Sequence, residues 1–262
     1  QAMNIIVLTK VVPDIERVKF DAARGVVDRS SAPQEINPFD LNAIEEAVRL
    51  KERHGGRVTA ISMGPSDAEQ ALKDTIARGV DETILLTDKK FAGSDTLATS
   101  YALSQAIKAM GDFDIVICGE KTVDGDTGQV GGEVSERLGI PYLPYTSRLD
   151  YEDGKFKARV ELENMIYEVE ASPPLLVSVT KDINSPRLPG FREKLNARKA
   201  QVRKMDAKEI EADEGLLGFN GSPTWVYKIE VPEEGQRNGR IYKDPERGLK
   251  EIMAVLESRG LI

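Results

Sequence analysis

Short, largely continuous runs of hydrophobic residues alternate along the chain with longer segments whose hydrophobic residues recur every three or four positions. The runs indicate strands buried on both faces and lie at residues 4–8, 58–62, 83–86, 115–118 and 175–180. The periodic segments indicate amphipathic helices that begin near residues 38, 66, 95 and 131. This alternation predicts an α/β fold, with a Rossmann-like, mostly parallel sheet and helices on both faces.

Polar residues mark the starts of two of these helices. Asn37 is predicted to cap the first helix, with Pro38 at its first position and Asp40 in its first turn. The sequence Ser-Asp-Ala-Glu at residues 66–69 fits a capping box for a helix that runs to about Arg78.

Beyond Pro141 the pattern changes to short segments of the kind found in antiparallel sheets. We predict a hairpin whose turn is Asp153-Gly154, and a smaller hairpin at residues 24–28. The predicted antiparallel strands are residues 142–149, 155–161 and 165–170.

From residue 181 the chain is basic and is predicted to be irregular, and it then continues into an extended C-terminal arm. Residues 181–204 contain eight Lys or Arg, which a solvated linker explains; interleaved aromatic residues, typical of a nucleic-acid patch, are lacking. After a predicted loop at 218–223, a last helix opens with Asp244-Pro245-Glu246. One face of that helix carries Leu249, Ile252, Met253 and Leu256, and a partner subunit is a natural surface for it to pack on.

Composition narrows the possible chemistry. The chain has 262 residues, a net charge of −8 and no hydrophobic run near the length of a membrane span, so we expect a cytoplasmic protein. Its single cysteine, Cys118, excludes an internal disulfide and a cysteine-based metal site, and is predicted to be a core thiol. The single histidine, His54, lies at a charged helix end. Catalysis by histidine therefore has little support, and we assign no metal ligand.

The most informative segment is residues 114–131. A buried strand leads into a loop rich in glycine and small polar residues, and a helix follows. The amides and the positive dipole end of such a helix favour a phosphate, although a simple turn and helix cap fits the local pattern equally well. The loop is neither a P-loop nor a G-x-G-x-x-G motif. Asp124 and Asp126 would repel a phosphate, so capping or ribose binding suits them better.

This segment closely resembles the nucleotide-binding loop in the small (beta) subunit of electron-transfer flavoproteins. Three more motifs appear in that family's order: Asn37-Pro38-Phe39-Asp40, Ser62-Met63-Gly64-Pro65 and Ser94-Asp95-Thr96-Leu97-Ala98-Thr99. The resemblance covers essentially the whole chain. It implies an adenine-nucleotide-binding domain at residues 1–184, a basic partner-recognition loop at 185–204, and an arm at 205–262 that packs on the large subunit.

The resemblance also implies a set of cofactor-binding residues. They are Thr9, Asn37, Pro38, Phe39, Asp40, Met63, Gly64, Asp95, Thr96, Thr99, Val123, Asp124, Gly125, Asp126, Thr127, Gly128, Gln129 and Val130. Many relatives carry a smaller residue where this chain has Thr9. Asp95 and Thr96 open a helix, so N-capping explains them about as well as contact with a pyrophosphate does.

The cofactor itself is implied by the loop at residues 124–131, which reads Asp-Gly-Asp-Thr-Gly-Gln-Val-Gly. In the family, members that bind AMP carry Asp-Asp-Asp-x-Asn-Gln-Thr-Gly, and bifurcating members that bind a second FAD carry Asp-Gly-Asp-Thr-Ala-Gln-Val-Gly. Gly125 and Val130 follow the FAD type, and Gly128 departs from it toward less bulk. Glycine leaves room for a ligand that extends beyond its ADP half, so we expect FAD, with AMP as the alternative.

An FAD-binding subunit of this kind implies flavin-based electron bifurcation. NADH delivers a hydride, one electron passes to ferredoxin or flavodoxin, and the other passes through the large subunit's FAD to a dehydrogenase or quinone reductase. The resemblance further implies that residues 185–199 dock on an acyl-CoA-type dehydrogenase through Arg187, Phe191 and Leu195. Packing of Phe191 on its own domain is the alternative.

Two other functions fit the sequence. The first is a structural subunit that holds only AMP while all electron transfer takes place on the partner's FAD. The second is a stand-alone adenine-nucleotide-binding module of the stress-protein type, which would need neither the basic segment nor the long arm.

Overall fold

The structure is a computed structural model that describes residues 2–14, 17, 19–21, 26–28, 32–226 and 239–262. The chain divides into two compact units, Gln1–Tyr227 and Lys228–Ile262. The first unit extends through both predicted boundaries, after residues 184 and 204. Every helix among the described residues is too short or too polar to cross a lipid bilayer.

The strands and helices follow the predicted alternation closely. The strands are β1 (Met3–Leu8), β2 (Val11–Pro13), β3 (Lys19–Asp21), β4 (Val26–Asp28), β5 (Gln34–Ile36), β6 (Gly56–Met63), β7 (Glu82–Leu86), β8 (Ile115–Gly119), β9 (Tyr142–Glu152), β10 (Lys155–Leu162), β11 (Met165–Ala171), β12 (Leu175–Val179) and β13 (Arg203–Met205). The helices are α1 (Pro38–His54), α2 (Glu69–Ala77), α3 (Thr96–Met110), α4 (Val130–Leu138), α5 (Phe191–Lys199), α6 (Gly218–Gly221) and α7 (Pro245–Ser258).

A nine-stranded sheet organises the first unit, in the order β11-β10-β9-β12-β8-β1-β6-β7-β13. Neighbouring strands in the part of the sheet ordered β9-β12-β8-β1-β6-β7-β13 are all parallel. Strand β10 is antiparallel to both of its neighbours, β9 and β11. The predicted α/β fold is therefore confirmed. One detail was wrong: β9 is longer than predicted, at 11 residues, and pairs parallel with β12.

Side chains alternate between two hydrophobic layers, one on each face of the sheet. Along β1, Ile5 and Val7 pack in the layer that contains Ile44 of α1. Ile6 and Leu8 point the other way and pack with Ile107 of α3. Because successive side chains of a strand point to opposite faces, a continuous hydrophobic run is what a strand covered by helices on both sides requires.

The structure describes the turn of the first predicted hairpin but not that of the second. The turn Asp153-Gly154 joins β9 to β10, and both residues have positive φ, 51° and 80°, the conformation that a two-residue type I′ turn needs. The smaller hairpin pairs β3 with β4. Arg24 and Gly25 of that prediction lie outside the described residues.

Three local predictions were wrong. Residues 66–68 form a 3₁₀ turn before α2 without the predicted side-chain capping box, because the Glu69 carboxylate pairs with Lys204 at 2.8 Å instead. The basic segment is not irregular, since it contains α5 and the edge strand β13, which pairs with β7. The predicted loop at 218–223 contains the short helix α6. The last helix does begin at the predicted place, with Asp244 as its cap.

Candidate functional site

A cavity of about 330 Å³ lies where the carboxyl ends of β1, β6 and β8 meet the amino ends of α3 and α4. The chain leaves β1 toward β6 on one side and returns to β8 on the other. Such a switch point in strand order is where open α/β sheets bind ligands.

The cavity brings together most of the predicted cofactor-binding residues. Those that line it are Thr9, Asp40, Met63, Asp95, Thr96, Thr99, Gly125, Thr127, Gly128, Gln129 and Val130. Seven others lie outside the lining: Asn37, Pro38, Phe39, Gly64, Val123, Asp124 and Asp126.

Ten lining residues were missed by the sequence reasoning. They are Leu8, Lys10, Ser94, Leu103, Cys118, Gly119, Glu120, Lys121, Thr122 and Gly131. Most of them directly follow or end a predicted strand. The rule that ligands sit at the carboxyl ends of parallel strands, applied to each strand in turn, would have found Lys10 and residues 118–122.

Asn37 supports the wall of the cavity without lining it. It is completely buried, and its side chain does not cap α1 as predicted. Its Nδ2 donates to the Lys121 carbonyl at 2.9 Å, and its Oδ1 accepts from the Val123 amide at 3.1 Å. These bonds fix the loop that follows β8, so they are the reason why Asn37 does not cap the helix.

Asp40 joins the ends of β1 and β8. Its carboxylate accepts hydrogen bonds from the Lys10 amide at 2.8 Å and from the Gly119 amide at 3.2 Å. Burial raises the pKa of Asp40 to about 7, against the opposing effect of these bonds. Gly119 permits the contact, because a Cβ there would lie 2.6 Å from Asp40 Oδ1.

Two lysines neutralise the aspartates of the loop. Lys10 Nζ lies 2.7 Å from Asp124 Oδ2, and Lys121 Nζ lies 2.8 Å from Asp126 Oδ1. Burial alone would raise the pKa of Asp124, but the bond and charge of Lys10 outweigh it and lower that pKa. In the structure the two aspartates thus bind lysines, and neither caps a helix.

The amino ends of the two helices differ at the cavity. Asp95 caps α3 by accepting from the Ala98 amide at 3.1 Å, so the predicted N-cap is confirmed. The α4 end has no side-chain cap within the described chain, and its first residues, Val130 and Gly131, line the cavity. An uncapped helix start leaves amides free for an anion.

The predicted partner-binding residues lie away from this cavity. Arg187 is held on its own chain by Glu45 at 2.8 Å and Glu52 at 2.6 Å. Phe191 is the first residue of α5 and is 79% exposed, and Leu195 is 39% exposed. The alternative in which Phe191 packs on its own domain is therefore not what the structure shows.

The part of the chain that the structure describes contains no group of His, Cys, Asp and Glu side chains that could hold a metal ion. Cys118 is buried, and burial raises the pKa of its thiol, so it is an inert thiol as predicted. His54 ends α1 and packs edge-on against Tyr151, with 5.5 Å between ring centroids.

Comparison with known proteins places this geometry in a family. Residues 24–210 match the electron transfer flavoprotein domain. The chain is 41% identical to the electron transfer flavoprotein subunit beta of Thermoanaerobacterium thermosaccharolyticum, over 99% of this chain and all of that protein. It is 35% identical to protein FixA of Sinorhizobium fredii, over 95% of this chain and 90% of that one. Subunit CarD of the caffeyl-CoA reductase-Etf complex of Acetobacterium woodii is 34% identical, over 88% of each chain. The chain therefore belongs to the electron transfer flavoprotein family, as a small (beta) subunit that takes part in electron transport.

Proposed function

We propose that this chain holds FAD in the cavity and passes electrons from NADH by flavin-based bifurcation. In the proposal it works in the cytoplasm as a heterodimer with a large (alpha) subunit. One electron goes to ferredoxin or flavodoxin. The other goes through the large subunit's FAD to an acyl-CoA-type dehydrogenase or a quinone reductase.

The residues at the cavity fit a nucleotide cofactor. The α4 amides, without a side-chain cap, suit a phosphate. Thr9 is 7% exposed, and its Oγ1 has no hydrogen-bond partner in the described chain. A buried polar atom without a partner is costly, so a ligand or an ordered water near Thr9 would satisfy it.

The observation that carries the choice of FAD is Gly125. This residue lines the cavity without a left-handed φ, and an added Cβ would touch only Thr122 Oγ1, at 3.4 Å. The chain's own packing and backbone therefore do not require glycine there. Gly128 differs, because its φ of 63° gives it a conformational reason. A ligand close to Gly125 explains the missing side chain.

The chain's own residues would bind and shield the cofactor. Leu8, Leu103 and Cys118 supply apolar wall, while Thr96 and Thr99 at the start of α3 offer hydroxyls. When bound, FAD supplies the hydride and single-electron chemistry. The ion pairs of Lys10 and Lys121 keep the loop carboxylates from facing a phosphate with unpaired charge.

The second unit supports the proposed large-subunit contact. Helix α7 exposes Leu249 (61%), Ile252 (56%) and Met253 (42%). Side chains at this spacing form one apolar face.

On the first unit, the exposed ring of Phe191 stands among basic residues of α5. Docking sites typically contain an aromatic side chain that becomes buried when the partner binds, with charged residues around it.

One observation favours AMP as the second candidate. A volume of about 330 Å³ is near the lower end of small-molecule sites, which span about 300–1,000 Å³. A mononucleotide would occupy such a cavity, whereas the flavin half of FAD would extend beyond it. In that case the chain is a structural subunit, and its partner carries the only flavin.

The test is the cofactor content of the purified heterodimer, measured by absorbance and by chromatography of the released ligands. Two FAD per heterodimer and no AMP support the proposal. One FAD and one AMP overturn bifurcation by this subunit. A preparation of the chain that forms a stable homodimer and binds no flavin partner would point instead to the stand-alone nucleotide-binding module.

A further inference from the structure

Residues 218–224 pack on the rim of the cavity, far along the chain from the residues they contact. We name this segment the strap. The Phe219 amide donates to the Ala92 carbonyl at 3.2 Å, and Ser222 Oγ donates to the Gly93 carbonyl at 3.2 Å. Residues 94–96, which directly follow, line the cavity. The strap also lies close to the end of the first unit, at Tyr227.

Two glycines make this close approach possible. Gly93 has a φ of 77°, and an added Cβ would fall 2.4 Å from the Phe219 ring. Gly218 has a φ of 53°, and an added Cβ would fall 2.3 Å from the Lys90 carbonyl oxygen. At both positions the left-handed backbone and the lack of space require glycine.

Asp95 connects the strap to helix α3. Its Oδ1 accepts from the Ala98 amide at 3.1 Å, and its Oδ2 accepts from the Thr224 amide at 3.1 Å and from Thr224 Oγ1 at 2.9 Å. Its own amide donates to Ser222 Oγ at 2.8 Å. Burial alone would raise the pKa of Asp95, but these bonds outweigh it and lower that pKa.

This geometry gives Asp95 a second role besides capping α3. Both carboxylate oxygens are already used by the chain, one for the helix and one for the strap. The neighbouring residues Ser94 and Thr96 line the cavity with it. Any ligand that orders this rim therefore also orders the residue to which the strap is bound.

We propose that Asp95 is a positioning residue that couples nucleotide binding in the cavity to docking of the strap. The inference rests on the proposed nucleotide site. Coupling of two sites is reciprocal: if the docked strap strengthens nucleotide binding, the nucleotide strengthens strap docking by the same factor. The conformation of residues 218–224 thus depends on whether the cavity is filled.

The chain contains a natural reporter of the strap. Trp225, its single tryptophan, directly follows the strap and is 71% exposed. Its quenching by acrylamide and the hydrogen exchange of the Thr224 amide both report on strap docking. ADP is the probe of choice for the full-length chain, because it contains the nucleotide half of FAD without the flavin absorption that would obscure tryptophan emission. Calorimetry measures ADP binding independently.

Asp95→Asn separates the two bonds. Asparagine caps helices as well as aspartate does, so its Oδ1 still serves Ala98, but its NH₂ cannot accept from Thr224. Thr224→Val removes only the hydroxyl donor and serves if Asp95→Asn folds poorly. The matched control is Asp88→Asn, since Asp88 also caps a turn and ties a distant residue, accepting from Lys90 and Ala207. Asp88 does not line the cavity.

In the wild-type chain, we expect ADP to reduce Trp225 quenching and to slow exchange at Thr224. Asp95→Asn should weaken ADP binding about tenfold, within the range typical of coupled sites, and make Trp225 quenching independent of ADP. Thr224→Val should do the same to a smaller degree, and Asp88→Asn should match the wild type.

Wild-type affinity for ADP in Asp95→Asn overturns the coupling. So does ADP binding to the wild type without any change at Trp225 or Thr224. Either result leaves the nucleotide site itself intact. If the wild type binds neither ADP, AMP nor FAD, the proposed function and the coupling are both overturned.

Discussion

The buried side chain of Asn37 holds the backbone of Lys121, with Nδ2 donating to the carbonyl at 2.9 Å. Its own backbone amide donates to the Lys10 carbonyl at 2.8 Å. The start of α1 therefore fixes two loops, one after β1 and one after β8. Both loops line the cavity, so the start of α1 helps to set the shape of the cavity.

Asn37→Ala should lower both stability and nucleotide affinity. The substitution leaves the Lys121 carbonyl and the Val123 amide without their partner, which costs about 1–3 kcal/mol of unfolding free energy. Urea denaturation and calorimetric titration with ADP measure the two effects. Asn42→Ala is the matched control, because Asn42 is also buried but bonds to Lys181 and Asn184. It should lose stability and keep its ADP affinity; equal loss of affinity in both variants would contradict the role given to Asn37.

Asp40 should make the protein less stable as the pH rises from about 4 to about 7. Its pKa rises from 3.8 to about 7 on folding, so in this interval the folded state holds a proton that the unfolded state has lost. The contribution of Asp40 to the free energy of unfolding is therefore fully present below about pH 4. It falls by on the order of a few kcal/mol as the pH rises, and it no longer changes above about pH 7.

Subtracting the stability of Asp40→Asn from that of the wild type at each pH isolates this effect, since other titrating groups such as Glu46 remain in both proteins. Lys10 and Cys118 are the titratable groups that interact with Asp40. A difference that stays constant between pH 4 and 7 would show that the Asp40 carboxyl has an ordinary pKa.

Alanine should lower the stability at position 128, whereas at position 125 it should lower the FAD content and leave the stability unchanged. Gly128→Ala places a side chain at a φ of 63° and should cost about 1–2 kcal/mol of stability. Gly125→Ala should leave the thermal midpoint within about 1 °C, because a Cβ there meets only an ordinary contact. Gly125→Ala and Gly125→Asp should instead reduce the FAD that copurifies with the heterodimer. Full FAD content in Gly125→Asp would remove the argument for FAD.

Arg187 and Phe191 should separate stability from docking. Arg187→Ala leaves the buried carboxylate of Glu45 with Arg49 and the backbone amide of residue 187. It should cost about 1 kcal/mol, since the Arg187 side chain is 35% exposed and partly screened. Burial raises the pKa of Glu45, but the hydrogen bonds from Arg187 and Arg49 lower it by more. The pKa is therefore below its ordinary value of 4.5. The stability difference should therefore shrink as the pH falls below about 4.5.

Phe191→Ala should not change stability, because the ring is 79% exposed, but should weaken dehydrogenase docking more than tenfold if Phe191 is the anchor. Electron transfer to an acyl-CoA-type dehydrogenase at increasing heterodimer concentration measures the docking. Leu188→Ala is the comparison, since Leu188 is 89% exposed and precedes α5. Equal effects of both substitutions would spread the docking energy over the segment.

The sequence predicted the sheet because local signals agree with the fold. The runs at 4–8 and 115–118 are apolar on both faces, and β1 and β8 are covered by helices on both faces. The signals failed where a distant residue competes for the same group. Glu69 binds Lys204 and Asn37 binds the loop after β8, contacts over 135 and 84 positions of sequence. Short-range pattern contains no information on such partners.

The site was predicted in a similar way. The loop at 124–130 and the starts of α1 and α3 were found by resemblance, and the structure brings most of them to one cavity. Their individual contacts were not predictable, because whether Asp95 faces a ligand or Thr224 depends on a strap 129 residues away. The position of Lys10 after β1 was predictable, but its pairing with Asp124 was not, because that ion pair exists only after the two strand ends meet.

The pairing of β13 with β7 has a consequence for synthesis on the ribosome. Residues 203–205 cover a strand made more than a hundred residues earlier, so the backbone groups on that side of β7 lack their partner until β13 has been made. Parallel pairs between distant segments form slowly, and open edges invite association with other chains. A nascent chain of this protein therefore carries an unfinished sheet edge while more than a hundred residues are added, and chaperone binding during that interval would protect it.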